Sequence, residues 1–94
     1  MADETEICPL CERPLGERRE RHHLVPRLKG GRETVMLHPI CHRKIHTRFS
    51  EAELARIYPT IGQLRADPEI AQFIGWLDGK PADFYVPTHK KRRR

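Results

Sequence analysis

The sequence of 94 residues predicts a small α+β fold stabilised by metal, with helices following the metal-bound part. Three observations carry that expectation. All three cysteines and five of the six histidines fall in three short pieces: Cys8-Pro-Leu-Cys11, His22-His23, and His38-Pro-Ile-Cys41-His42-Arg-Lys-Ile-His46. Two short β-branched or apolar runs precede a helix-like stretch, and further helical patterns fill the second half. The first forty or so residues hold few large apolar side chains. A chain this short buries a modest core, and structural metal is a common supplement.

Residues 1–6 form an acidic lead without the apolar core of a signal peptide. Cys8-Pro-Leu-Cys11 follows, and Glu12 to Gly16 reads as a turn. A CxxC on a tight turn sets two thiolates on one side of the backbone, which is half of a tetrahedral zinc site. The other half is His38-Pro-Ile-Cys41, with the same spacing and 26 residues between the pairs. Cys8, Cys11, His38 and Cys41 thus form a candidate Cys3His zinc site. A redox CxxC would need a βαβ context, and none is present.

The charged run Glu17–Arg21 reads as a solvated turn or a phosphate-facing patch. His22 to Val25 reads as a short strand ending at Pro26, and Thr34 to Leu37 as a second. Neighbouring strand residues face opposite sides, so His22 and His23 take different roles. The segment between the strands, Arg27 to Arg32, is a basic loop with Gly30-Gly31. After Pro39 a helix is predicted, with Cys41 in its first turn and His42 and His46 four residues apart on one face. That pair is a candidate clamp for a divalent cation.

Ser50-Glu-Ala-Glu53 is a capping box, so a helix starts there and runs to about Tyr58, before Pro59. Thr60-Ile-Gly-Gln63 is a weaker signal of the same kind. Asp67-Pro68-Glu69 opens another helix, with Asp as N-cap and Pro at the first position. Its apolar residues Ile70, Phe73, Ile74 and Leu77 make one stripe, expected to pack on the metal-bound half. Gly79 reads as the C-cap and Pro81 as the stop. Phe84-Tyr85-Val86 reads as a short extended piece before the cationic tail His89–Arg94. The expectation is a single domain: a metal-bound core over 7–50, a helical extension over 51–80 and a basic tail over 81–94.

The formal charge of +5 and a pI near 9.5 favour an anionic partner, nucleic acid first. No apolar run reaches the 18 residues of a membrane span. Three cysteines cannot all pair within one chain, and without a secretory context the reading is metal. The expected compartment is the cytoplasm of a cell or of an infected host.

Cys8-x2-Cys11, His22-His23, the Gly-Gly loop and His38-x2-Cys41-His42-x3-His46 together resemble the HNH endonucleases, and among them the small stand-alone type with a zinc-binding CxxC. The match spans about residues 7 to 50. The resemblance implies a ββα-metal core in which two strands and a helix grip one divalent cation. It implies His23 as general base, with His22, His42 and His46 as ligands of the catalytic cation. Two features depart from the family. His38 stands where many members have a third zinc cysteine. The sequence also has no Asn, so the middle letter of the motif falls at Glu33 or near His38.

The expected activity is metal-dependent hydrolysis of DNA phosphodiester bonds, by nicking or cleavage, with RNA left open as a substrate. The expected cofactors are structural zinc and a catalytic Mg, Mn, Ni or Zn ion. Arg21, Arg27, Lys29, Arg43 and Arg48 are the candidate phosphate contacts. The alternative is a zinc-stabilised nucleic-acid-binding module without catalysis. The two differ at His23, which binding alone does not require.

Overall fold

The structure is a computed structural model and describes residues 6–25 and 30–86. Arg27, Lys29 and the tail beyond residue 86 lie outside the described residues. Two strands, β1 (Glu20–His23) and β2 (Thr34–Leu37), form an antiparallel pair. Four helices follow: α1 (Pro39–Arg48), α2 (Glu51–Arg56), α3 (Ile61–Ala66) and α4 (Pro68–Leu77). Within the described residues no helix is long and apolar enough to cross a membrane.

β2 lies where its β-branched and apolar pattern puts it. β1 begins two residues earlier than expected and ends at His23. The register explains the shift. Leu37 pairs with Glu20 and Thr34 with His23, so the four residues of β2 select four partners that include the charged Glu20 and Arg21. Beyond them Leu24 donates a last bond to the Glu33 carbonyl at 3.1 Å, and the ladder ends.

The helix starts follow their caps. Ser50 and Glu53 exchange both bonds of a capping box at 2.8 and 3.1 Å. Thr60 accepts from the Gln63 amide at 3.1 Å, and Asp67 from the Ile70 amide at 3.1 Å. Such bonds satisfy amides that a helix start leaves unpaired. α2 stops at Arg56 rather than near Tyr58, because the Ile57 amide closes onto the Glu53 carbonyl as the C-cap. Gly79 adopts φ +85 just past α4, the left-handed conformation that favours glycine.

One core joins both halves. Leu10, Leu37, Ile40, Ile45, Leu54, Leu64, Ile70 and Leu77 are fully buried in a cluster that also contains the three cysteines. The α4 stripe enters it through Ile70, Phe73 and Leu77, with Ile74 partly buried. Fully burying a Leu or Ile stabilises by about 1.5–3 kcal/mol. Polar ties align α4 with α1: Arg48 makes two 3.1 Å bonds to Asp67 and pairs with Glu69, and Lys44 reaches Glu69 at 2.9 Å. Arg48, a candidate phosphate contact, thus already has its charge matched within the fold.

The segment 80–86, here called the strap, returns to the N-terminal turn. The Phe84 amide donates to the Pro81 carbonyl at 3.0 Å, closing a turn just before Phe84-Tyr85-Val86. Arg13 donates to the carbonyls of Lys80 and Pro81. Asp83 accepts from the Glu17 and Arg18 amides at 3.3 and 3.1 Å. Gly16 makes that approach possible, since a Cβ there would lie 2.2 Å from the Asp83 carboxylate.

Candidate functional site

Two clusters of metal-type donors form, and both draw on α1. The first joins Cys8, Cys11, His38 and Cys41, whose donor atoms all lie within 4.8 Å of one another. All four residues are buried. The N-terminal turn delivers Cys8 and Cys11. Its geometry rests on the Glu12 amide donating to the Cys8 carbonyl at 2.7 Å and the Cys8 amide to the Arg13 carbonyl at 3.0 Å. Glu12 pays for the reversal with φ +64, in the left-handed region.

His38 is the N-cap of α1 yet makes no side-chain cap. Its imidazole is engaged elsewhere. Nε2 donates to the Pro14 carbonyl at 2.8 Å, which leaves Nδ1 bearing its lone pair 3.3 Å from Cys11 Sγ. Fixing the tautomer through the far nitrogen is how metal-binding histidines are commonly held.

Three thiols in one pocket cannot all ionise unaided. Hydrogen bonds from Cys41 and then Cys8 hold Cys11 far below the usual thiol range, with help from Arg13. Its hydrogen bonds with Cys11 and then Cys8, together with burial, push Cys41 far above it. The Cys11 hydrogen bond likewise raises Cys8. A divalent cation is the species that would let all three be thiolates at once. Buried Cys8, Cys11, His38 and Cys41 are therefore close enough, and of the right chemistry, to bind a metal ion.

The second cluster is His22, His42 and His46, also with donor atoms within 4.8 Å of one another. Strand alternation turns His22 inward to α1, while His42 and His46 are one helical turn apart on the face that meets it. The ring centroids stand 5.3 Å (His22–His42), 5.4 Å (His22–His46) and 4.8 Å (His42–His46) apart. His22 is fully buried, and neither ring nitrogen has a hydrogen-bond partner. Buried polar atoms are seldom left unpaired, and each such atom needs an explanation. Burial, and then the neighbouring His42, His46 and His23, press the His22 pKa down to about 4. Burial also lowers His46. Both shifts favour the neutral imidazole, the form that donates to a metal.

Unlike the first cluster, this one is open. His42 and His46 line a surface groove with Glu20, Arg43 and Thr47. Glu20 accepts from His42 Nδ1 at 2.8 Å, which leaves Nε2 for the cluster. Sequence reasoning missed Glu20. Its signal was the i, i+2 relation to His22, which places both on one strand face, but that is visible only once the strand is known to begin at Glu20. Arg13, also missed, borders the thiol cluster.

His23 and Arg21 share the opposite strand face, with His23 half-buried and Arg21 exposed. No side-chain hydrogen bond holds His23 among the described residues. Arg43 is exposed on α1 beside the groove.

The chain is 38% identical over 90 residues to YisB of Bacillus subtilis (strain 168), a protein described as uncharacterized, covering 94% of this chain and 89% of that one. This chain belongs to the YisB family. No family model and no solved structure matches it.

Proposed function

We propose that the chain is a metal-dependent endonuclease of the HNH type, with a structural zinc at the thiol cluster and a catalytic divalent cation at the histidine cluster. One observation carries the reading: a fully buried His22 with both nitrogens unpartnered, facing two histidines of α1 at the edge of an open groove. The β1–β2–α1 order, which is what the family resemblance implies, supports it, as does the net charge of +5.

The donor sets suit different roles. A closed thiolate-rich set is the structural kind, and an open set that leaves positions for water and phosphate is the catalytic kind. When bound at the histidine set, a divalent cation polarises a phosphate oxygen and steadies the leaving oxygen. His22 stays neutral and in place because the core surrounds it. Glu20 fixes the tautomer and orientation of His42. His23, on the other strand face, accepts the proton of the attacking water, since a neutral imidazole is matched to that task near neutral pH. Arg43 brings positive charge to the groove and Arg21 to the strand face of His23, where flanking phosphates would lie.

The test is supercoiled plasmid incubated with the protein and a panel of Mg, Mn, Ni and Zn, with a chelator control and an RNA substrate alongside. Nicking that requires a cation is expected. His23→Ala should slow it by about 10²–10⁴-fold while calorimetric metal binding stays as in the wild type. Absence of cleavage with every cation and both substrates would sink the reading. Near wild-type nicking by His23→Ala would reassign the base.

A further inference from the structure

Arg13 lies outside both donor sets, yet it is only 7% exposed. No carboxylate lies within ion-pair distance of it among the described residues. A buried cation without a counter-charge is costly. Its guanidinium touches three things. Nη1 donates to Cys11 Sγ at 3.5 Å, Nη2 to the carbonyls of Lys80, at 3.2 Å, and Pro81, and Nε again to Lys80 at 3.4 Å. One planar group thus has a thiol-site sulfur at one edge and the start of the strap at the other.

Charge bookkeeping identifies the missing partner. A divalent cation held by three thiolates and a neutral imidazole carries one negative charge in excess. In that arrangement Nδ1 of His38 faces the metal and its Nε2–H is donated to Pro14. Among the described residues Arg13 is the cation hydrogen-bonded to a sulfur of that site, and no carboxylate competes for it within ion-pair distance. We propose that Arg13 is the counter-ion of the metal–thiolate centre and that its fork of N–H groups fastens the strap 80–86 to that centre. This rests on reading the thiol cluster as a divalent-metal site.

The strap has a second fastening at Asp83, on the Glu17 and Arg18 amides, and a third contact where the Arg18 guanidinium lies 5.9 Å from the Tyr85 ring. It delivers Phe84 to within 5.7 Å of Trp76, the single tryptophan. Trp76 emission is therefore a built-in reporter of whether the strap is seated. Asp83 holds the strap with no hydrogen bond to a thiol-cluster residue among the described residues, so the two fastenings can be separated. Arg13 is a positioning residue: it acts on the metal through Cys11 and on the strap through backbone carbonyls.

The experiment loads cobalt(II) into wild type, Arg13→Gln, Arg13→Lys and Asp83→Asn. It reads the thiolate-to-cobalt absorption, cobalt affinity by chelator competition, Trp76 emission and hydrogen exchange. In wild type the cobalt spectrum should be tetrahedral and the strap amides protected. Arg13→Gln should still give a tetrahedral spectrum, with the charge-transfer band moved because Cys11 has lost a donor. Its affinity should fall about 10–100-fold, the range for losing a group that supports a ligand. Its strap amides should exchange at least about tenfold faster, and Trp76 emission should shift, while α1 stays protected.

Arg13→Lys keeps the charge but not the fork, so affinity should recover and strap protection should not. Should Arg13→Gln fail to fold, Arg13→Lys still decides the matter through that split. Asp83→Asn should loosen the strap with cobalt affinity unchanged. Wild-type affinity in Arg13→Gln would overturn the counter-ion role, and wild-type strap protection would overturn the fastening. A wild-type protein that takes up no metal at the thiols would overturn the zinc reading and this inference together. Normal loading with an inert Arg13 would overturn the inference alone.

Discussion

The thiol cluster and the histidine cluster make a controlled comparison, because α1 contributes to both. Cys41 and His42 are adjacent residues, yet they belong to different sites. At the thiol cluster the partners come from the N-terminal turn, every donor is buried, and His38 is held by a backbone carbonyl. At the histidine cluster the partner is β1, His46 is exposed, and His42 is held by a carboxylate that itself faces a groove. The same helix supports a closed site and an open one because two of its faces meet different neighbours. Closure therefore belongs to what covers the donors, not to the donors' own element.

The comparison breaks most visibly at the thiols. Cys8→Ser or Cys41→Ser should abolish cooperative thermal unfolding and zinc uptake. Metal binding at such sites contributes on the order of 10 kcal/mol, comparable to the whole stability of a small domain. Calorimetry with elemental analysis checks it, and soluble, folded, zinc-free wild type would contradict it. At the open site the same kind of deletion should leave the fold standing. His42→Ala should cost about 1 kcal/mol or less in stability while losing affinity for the second metal equivalent and the cation-dependent nicking. A melting curve as damaged as that of Cys41→Ser would erase the distinction between the two sites.

Acid should sharpen the contrast. His22 titrates near 4 when folded and near 6.5 in its ordinary state, so between those values the unfolded chain binds more protons. Stability then rises with pH through that window and is lost as pH falls through it, by up to about 3 kcal/mol. Denaturant midpoints at pH 7 and pH 5, with the thiol site loaded and the histidine site metal-free, should differ more for wild type than for His22→Gln. Equal slopes would show that His22 is not buried as neutral imidazole. The smallest effect lies at the turn. Glu12→Gly relieves a left-handed backbone, loosens the unfolded chain and removes an exposed 3.2 Å ion pair with Arg65. The net should be a gain of about 0.5 kcal/mol, read from the same denaturant curves.

Local signals were legible and distant ones were not. Thr34–Leu37, the Ser50 capping box, the Asp67-Pro68 start and the α4 stripe all depend on residues within a few positions of one another. The two donor sets were legible because soft ligands are rare enough for spacing to group them. The start of β1 was hidden because Glu20 and Arg21 look like solvent-facing charge until the Leu37 pairing draws them in. Arg13 was hidden because its partners are backbone carbonyls 67 and 68 residues away, which no side-chain pattern encodes. Arg48 looked like a free cation because its partner, Asp67, is 19 residues away and doubles as a helix cap.

The adjacency of Cys41 and His42 has one more consequence. Successive residues of a helix are offset by about 100° around its axis. With Cys41 clamped at one angle, His42 and His46 have theirs set as teeth on one gear are set by another. Adding one residue between Cys41 and His42 would swing both histidines about 100° away from His22 while leaving every ligand type in the chain. The ten residues of α1 thus act as an indexing shaft, whose phase at the buried face determines whether the open site is assembled at all.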